Sequence, residues 1–391
     1  MTFQRLTIGI PKEIMAGERR VAATPEIVRK MVSEGAKLVV EISAGEGSFF
    51  TDNEYRAAGA ELVVDAEEIF SRSDIILKVK EPRFSSNKGK HEVDMMKKDQ
   101  YLIAFLHPAS PANHQMVQQL ASKGVIAISL DSIPRITRAQ PMDALTSMST
   151  VAGYKAMLMA ANMLPVFIPM MSSAAGMSQP ANVLVIGTGV AGLQSLAVAK
   201  RLGAVVQAVD IRPEACEQAM SLGAKIIDVG VPAEVAVGKG GYALKLPAEW
   251  LGKERQVLKQ IVSMAEIVIL TALIPGKVAP VLITEEMVKS MKTGSVIIDV
   301  AIDQGGNCEI SELGKLVTKY GVSVDGTPNI PSMLAMSSTR MFANNMYNFV
   351  DYLVEKGRVN LNMDDEIIAS ALVTKDGKII HAGTLEAMNL K

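Results

Sequence analysis

Six residues, Gly187-Thr188-Gly189-Val190-Ala191-Gly192, have the spacing of a loop that can cradle a pyrophosphate. Gly187 permits a tight turn, Gly189 lets the backbone approach the phosphates, and Gly192 lets a helix pack closely on the preceding strand. Alone the pattern is weak, but its flanks agree with it. Residues 183–186 (Val-Leu-Val-Ile) form a continuous apolar strand, and residues 193–202 read as a helix ended by Gly203. The helix start, at Val190 and Ala191, would offer free N–H groups and a positive dipole end to the phosphates. The next strand, residues 205–209, runs into Asp210, 23 residues after Gly187. That is close to the ~20 expected for the carboxylate that accepts from the adenosine ribose hydroxyls. A carboxylate there repels a 2′-phosphate, so the expected cofactor is NAD(H) rather than NADP(H). Arg212, just beyond Ile211, works against that preference. The plainer alternative is a glycine turn in an α/β protein that binds nothing; strand, helix and acidic residue together argue against it.

The elements around this loop repeat one scheme. Apolar runs alternate with helix-like stretches, the pattern of parallel α/β structure. In the first third the runs are 6–10, 37–41, 75–79, 101–105 and 125–129. Thr24-Pro25-Glu26 is a good helix start: threonine caps, proline fits the first turn, and glutamate complements the dipole. Residues 84–91 are polar and read as an exposed loop. The middle third has runs at 183–186, 205–209, 225–228, 267–270, 295–300 and 322–325, the number a complete doubly wound sheet requires. A long helix is expected over 340–355 and a short strand over 367–373. That tail is too small to fold alone, so it should return to the first domain. The expected fold is α/β, with two Rossmann-like doubly wound parallel-sheet domains and a cleft between them. One domain takes 1–140 plus 335–391 and the other 141–334. Residues 231–250 form a long glycine-bearing insertion of the kind that acts as a lid.

Composition narrows the function classes. The 391 residues are 49% hydrophobic and 21% charged, a folded composition. Forty basic side chains face 41 acidic ones, and no basic stripe suggests nucleic acid. The only cysteines, Cys216 and Cys308, lie far apart, which excludes a disulfide scaffold and suits a reducing compartment. No metal-ligand spacing occurs, so no metal is expected. The start shows no secretory pattern. Residues 156–177 are apolar and rich in methionine, but Asn162, Pro165 and Pro169 interrupt them. A spanning helix needs about 20 uninterrupted apolar residues, so a buried helix ending near Met163 and then an extended segment are expected.

Longer motifs carry a resemblance. Ile8-Gly9-Ile10-Pro11-Lys12-Glu13, Arg20-Val21-Ala22-Ala23-Thr24-Pro25, Leu77-Lys78-Val79-Lys80-Glu81-Pro82, the glycine loop and Leu282-Ile283-Thr284-Glu285-Glu286-Met287 are shared with two related groups. The chain resembles the NAD(H)-binding alpha subunit (soluble domain I) of the proton-translocating NAD(P) transhydrogenases and, more distantly, the alanine dehydrogenases. The run from Pro134 to Asp143 looks like the transhydrogenases' hydride-transfer loop, and Ala152-Gly153-Tyr154 follows it. Thr271-Ala272-Leu273-Ile274-Pro275-Gly276-Lys277 and Gly305-Gly306-Asn307-Cys308 are worded as in that group. Gly240-Gly241-Tyr242-Ala243 resembles its mobile loop.

The resemblance implies a Re/Si-specific NAD(P)+ transhydrogenase subunit. It would be cytoplasmic, peripheral to the inner membrane and without a span of its own. Its partners would be an NADP(H)-binding subunit, a membrane subunit and a second copy in a homodimer. Only one dinucleotide fingerprint is visible, so NADP(H) must come from another chain. Direct hydride transfer needs no acid or base at the reacting carbons; it needs two rings held at roughly 3–3.5 Å. Arg135, Gln140 and Asp143 are the expected positioning residues. Gln140 would contact the NADH ribose or nicotinamide region, Arg135 the carboxamide or a phosphate, and Asp143 would orient Arg135. Ile136, Thr137, Gly241, Tyr242, Ala272 and Leu273 complete the expected cofactor set. An ordinary surface loop with an Arg–Asp pair is the bland reading. An alanine dehydrogenase activity is the rival: Arg20 and Lys78 would hold a 2-oxo acid, His107 would be its acid–base group, and Asp303 would orient the imine or amine. A third reading is a non-catalytic NAD(H)-sensing subunit, which would be expected to lack the 135–143 loop.

Overall fold

The computed structural model describes residues 2–238, 243–274 and 278–390. They form two compact units, Met1–Met148 with Ser332–Lys391, and Ser149–Pro331. The chain leaves the first unit within the helix Ala144–Met163 and re-enters it at Ser332.

The first unit is built on an eight-stranded sheet. Its order is Lys378–Ile379, Leu372–Lys375, Ile126–Ser129, Tyr101–Ala104, Ile75–Leu77, Thr7–Ile10, Lys37–Glu41, Glu61–Val63. The six strands from the N-terminal part pair in parallel. Their near-continuous burial is what helices on both faces of a parallel sheet demand. The first helix, Pro25–Ser33, starts as its sequence predicts: Thr24 accepts from the Ile27 N–H and Pro25 opens the first turn. Phe342, Met346, Phe349 and Leu353 of the helix Ala335–Leu353 are fully buried.

Two local expectations fail here. Residues 84–91 form a small antiparallel hairpin, Phe84–Ser85 on Lys90–His91, rather than an irregular loop. Residues 367–373 are not one strand. Asp365 accepts from the N–H groups of Ile367 and Ile368 and starts a helix, Glu366–Ala371; the strand begins only at Leu372. A capping aspartate followed by glutamate outweighs the β-preference of two isoleucines. The strand Leu372–Lys375 then joins Ile126–Ser129 antiparallel, with a bulge. Buried Thr374 accepts from the Ala127 N–H at 3.1 Å and donates to the Val125 carbonyl at 2.7 Å.

The second unit has a seven-stranded sheet in the order Lys225–Ile226, Val205–Val209, Asn182–Ile186, Ile267–Leu270, Val296–Asp299, Val322–Asp325, Leu316–Lys319. All but the last strand run parallel. The order reverses at Asn182–Ile186, the topological switch point where such sheets bind ligands at their carboxyl ends. One face is packed by Ala156, Met157, Ala160, Leu196 and Ala199, the other by Leu258, Val262, Met287 and Val288. After Met163 the chain exposes Val166, Phe167 and Met170, then a hairpin, Met171–Ser173 on Gly176–Ser178.

Thr374→Val keeps the shape and removes a hydroxyl that satisfies two backbone groups. Leaving buried partners unmade costs about 1–3 kcal/mol. A urea melt should show that loss; an unchanged midpoint would mean the C-terminal strand is held by other contacts.

Candidate functional site

The glycine loop lies at the switch point of the second unit. Gly187 has φ +89°, and a Cβ there would meet the Ala272 nitrogen at 2.7 Å. A Cβ on Gly192 would sit 1.9 Å from the Gly187 carbonyl oxygen, so helix and strand meet without room for a side chain. Gly189 differs: nothing lies within 4 Å of its Cβ position. It is the N-cap of the helix Val190–Arg201 and carries no side-chain cap. Open space above an uncapped helix start fits a pyrophosphate. A second helix also crosses here at backbone contact. A Cβ on Gly153 would lie 2.0 Å from the Ala191 carbonyl oxygen, and Ser195 donates to the Gly153 carbonyl at 2.9 Å.

Asp210 follows the adjacent strand. One carboxylate oxygen accepts from the Thr188 N–H at 2.7 Å, tying it to the glycine loop. The same oxygen takes the Arg212 Nη2 at 2.8 Å, and the other takes Arg212 Nε at 2.9 Å. Asp210 and Arg212 are therefore one forked pair, a combination sequence alone left open. Ile211 is half-buried beside them.

Residues not anticipated as supports hold the far side of the loop. Thr271 donates to the Gly187 carbonyl at 2.6 Å. Fully buried Asn307 accepts from the Ala272 N–H and donates to the carbonyls of Ala272 and Pro280. Buried Asp299 in turn accepts from the N–H groups of Asn307 and Cys308. Ala272 is thus fixed next to Gly187, and Leu273 follows it as an exposed side chain. The Gly305-Gly306-Asn307-Cys308 motif was the available signal. Gly241 and Tyr242 lie outside the described residues, as do Pro275, Gly276 and Lys277.

In the first unit, residues Thr137–Met142 form a 3-10 turn with Gln140 and Arg135 exposed near it. The helix Ala335–Leu353 clamps that turn: Asn345 and Asn348 both donate to the Pro141 carbonyl, at 2.8 and 3.0 Å. Arg138 reaches Asp365 and the Tyr352 hydroxyl, each at 2.8 Å. Asp143 accepts from the Thr146 N–H at 2.8 Å and the Thr146 hydroxyl at 2.6 Å, which anchors the loop to the helix that follows. Ile136 is half-buried and Thr137 exposed.

The residues of the rival reading have partners of their own. Arg20, 2% exposed, is forked by Glu18 at 2.8 and 2.5 Å. Lys78, fully buried, lies 2.9 Å from Glu92 and 3.3 Å from Glu13. Burial, only partly offset by Lys78, raises the Glu13 carboxyl to about 7. His107 sits at φ +43° and its Nδ1 is 2.8 Å from Asp131. Asp131 also accepts from the Ser129 hydroxyl and the N–H groups of Leu106 and His107. In the second unit, Asp303 is exposed and accepts from the Asn329 N–H at 3.1 Å. No group of three or more potential metal ligands occurs among the described residues.

Comparison with known proteins adds a family to this geometry. Residues 9–152 match the model of the alanine dehydrogenase/PNT N-terminal domain, and residues 156–382 that of its C-terminal domain. The first-part alpha subunit of the NAD(P) transhydrogenase of Rhodospirillum rubrum is 45% identical over 96% of this chain and 98% of its own length. The alanine dehydrogenase of Methanococcus maripaludis is 31% identical over 98% of this chain and 97% of its own. Among solved structures, a transhydrogenase from Sinorhizobium meliloti superposes with a TM-score of 0.82 at 38% identity, covering 96% of this chain and all of that one.

The His107–Asp131 pair has a pH signature. Burial alone would raise Asp131, but His107 and the hydroxyl and amide donors pull it from 3.8 to about 2. Burial alone would lower His107 from 6.5, but Asp131 raises it. The aspartate's share of stability is present above about 3.8 and lost toward 2. The histidine's share is present below 6.5 and lost as pH rises through its elevated value. His107→Gln should therefore cost most between those limits, about 1 kcal/mol for a partly exposed pair. Denaturation at pH 5.5 and pH 9 tests it: the gap to wild type should narrow at the higher pH, and an equal gap would show the pair is not ionic.

Proposed function

The chain belongs to the alanine dehydrogenase/PNT family through both of its domains, and on that premise we propose that it is the NAD(H)-binding component of a proton-translocating transhydrogenase. In this reading it is an oxidoreductase subunit. NAD(H) bound at the glycine loop gives or takes a hydride, and NADP(H) on a partner subunit is the other party.

The observation that favours this over a small-substrate dehydrogenase is the state of the two buried cations. A 2-oxo acid would need the Arg20 guanidinium and the Lys78 ammonium for its carboxylate and carbonyl. Glu18 already forks Arg20, and Glu13 with Glu92 surrounds Lys78. A substrate would have to displace a buried carboxylate, and breaking such a pair costs roughly 3–5 kcal/mol. Transfer between two nicotinamides asks for no such site.

The residues then divide the work of binding and orientation. Gly187, Gly189, Val190, Ala191 and Gly192 hold the pyrophosphate through backbone and dipole. Asp210, with Ile211 and Arg212, receives the adenosine ribose, and Ala272 and Leu273 form the wall fixed by Asn307. Gly241 and Tyr242 belong to the segment that would close over the cofactor. Arg135, Ile136, Thr137, Gln140 and Asp143 position the nicotinamide end, held in place by Asn345, Asn348 and Arg138. Such positioning is the main lever for a reaction that needs no proton transfer.

The partners follow from the same reading: an NADP(H)-binding subunit, and a membrane subunit that carries the proton path. No helix among the described residues is long and apolar enough to cross a membrane. Attachment at the cytoplasmic face of the inner membrane would then run through those partners. A homodimer is the proposed state, with its contact assigned to the apolar segment 150–170 and the hairpin that follows it. Phe167, Met170 and Met177 there are each at least 60% exposed, a concentration of apolar surface that a monomer rarely leaves in water.

His107, paired with half-buried Asp131, keeps an alanine dehydrogenase activity as the second reading. A two-format assay separates them. NADH with a thio-NADP-type acceptor and the NADP(H)-binding subunit should turn over; NADH with pyruvate and ammonium should not. Turnover with pyruvate and ammonium alone would overturn the transhydrogenase reading. In the same assay Gln140→Asn should slow hydride transfer about tenfold, some 1.4 kcal/mol of barrier, with near-normal NADH binding. Strongly weakened NADH binding would make Gln140 a binding residue instead.

A further inference from the structure

The turn that presents Gln140 is held by one face of one helix. Within Thr137–Met142, Ala139 and Met142 are buried and Gln140 is exposed between them. The Ala139 N–H bonds the Ile136 carbonyl at 2.9 Å, and the Gln140 carbonyl accepts from the Asp143 N–H at 3.2 Å. Outside anchors then fix the chain on both sides of Gln140. Before it, Arg138 Nη1 meets the Tyr352 hydroxyl and Asp365, each at 2.8 Å. After it, the Pro141 carbonyl accepts from Nδ2 of Asn345 at 2.8 Å and of Asn348 at 3.0 Å. Asn345, Asn348 and Tyr352 stand at i, i+3 and i+7 of the helix Ala335–Leu353, so they lie along one stripe.

Asn345 is the costly member of this set. It is 8% exposed and shares the inward face of the helix with Phe342, Met346 and Phe349. Its Nδ2 makes the bond to Pro141, while its Oδ1 is buried with no hydrogen-bond partner among the described residues. A buried amide oxygen left unmet lowers stability. Leucine has the same branching and no polar atom, and would avoid that cost. What leucine lacks is the donor to Pro141. The asparagine thus holds the turn and weakens the core.

Hydride transfer gives such a hold its purpose. The reduced nicotinamide of NADH gives up a hydride and becomes NAD+; the nicotinamide of NADP+ on the partner takes it and becomes NADPH. No proton moves at the reacting carbons, so the rate depends on how the two rings are held. A misplacement of about 1 Å can cost about a hundredfold. With Pro141 and Arg138 both tied to the helix, Gln140 keeps little freedom beyond its own side chain.

We propose that Asn345 is a positioning residue for hydride transfer: through the Pro141 carbonyl it sets where the Gln140 side chain meets the nicotinamide end of NADH, and Asn348 shares the task. This rests on the reading of the 135–143 loop as the nicotinamide-positioning element. Asn345 acts only through Pro141. Its removal leaves the glycine loop and Asp210, which belong to the other unit, as they are. Affinity for NADH therefore stays, and the hydride step slows.

The test compares the purified full chain as wild type, Asn345→Leu, Asn348→Ala and the double variant. The first turnover from NADH to a thio-NADP-type acceptor on the NADP(H)-binding subunit gives the hydride step. Equilibrium NADH binding, read by nicotinamide fluorescence, and the urea midpoint are measured beside it. Each single variant should slow the first turnover about three- to tenfold, with NADH affinity within about twofold of wild type. Asn345→Leu should keep or raise the urea midpoint. Two donors share one acceptor, so the double variant should be slower than the product of the singles. Asn348 is half-buried, so the result does not depend on the core variant folding. A double variant whose first turnover is unchanged within about twofold, or whose NADH affinity falls in step with the rate, would overturn the proposal and leave the asparagines a structural clamp. Wild type that transfers no hydride to the partner-bound acceptor would instead overturn the transhydrogenase reading on which the proposal rests.

Discussion

Gly192 can carry no side chain, because its Cβ would sit 1.9 Å from the Gly187 carbonyl oxygen. That single exclusion brings the helix Val190–Arg201 against the strand Asn182–Ile186 and aims its uncapped end into open space. The neighbourhood is arranged around it. The same Gly187 oxygen accepts from Thr271, Gly187 itself abuts the Ala272 backbone, and Asn307 with Asp299 pins that backbone from behind. Asp210 is tied to the loop through the Thr188 N–H. In the second unit, then, almost every support of the glycine loop is backbone or buried.

The first unit solves a different problem. It buries Arg20 and Lys78 and neutralises each with internal carboxylates, so two side chains suited to a small anion act as structural ion pairs. Such pairs contribute little net stability, but removing one partner leaves an uncompensated buried charge. The pairs thus lock the residues around them. The exposed chemistry of this unit is concentrated in the 135–143 loop, which four side chains of the C-terminal segment (Asn345, Asn348, Tyr352 and Asp365) hold in place.

Much of this is legible in the sequence, for identifiable reasons. The parallel strands are short apolar runs, and burial on both faces forces that composition. The glycine loop is legible because each glycine answers a local steric demand. Residues 367–373 read as one strand, although 366–371 are helical, because the capping of Asp365 competes with β-branched neighbours over very few residues. The clamp on Pro141 is invisible because its asparagines lie more than 200 residues away.

The central claim is that the backbone of the glycine loop is the phosphate site of an NAD(H)-binding subunit. Amide chemical shifts recorded during an NADH titration of the isotope-labelled chain test it most directly. The account predicts the largest, saturable shifts at the N–H groups of Gly189 to Gly192, with a second set at Asp210 to Arg212. Saturable NADH binding that leaves the Gly189–Gly192 amides unmoved would contradict it.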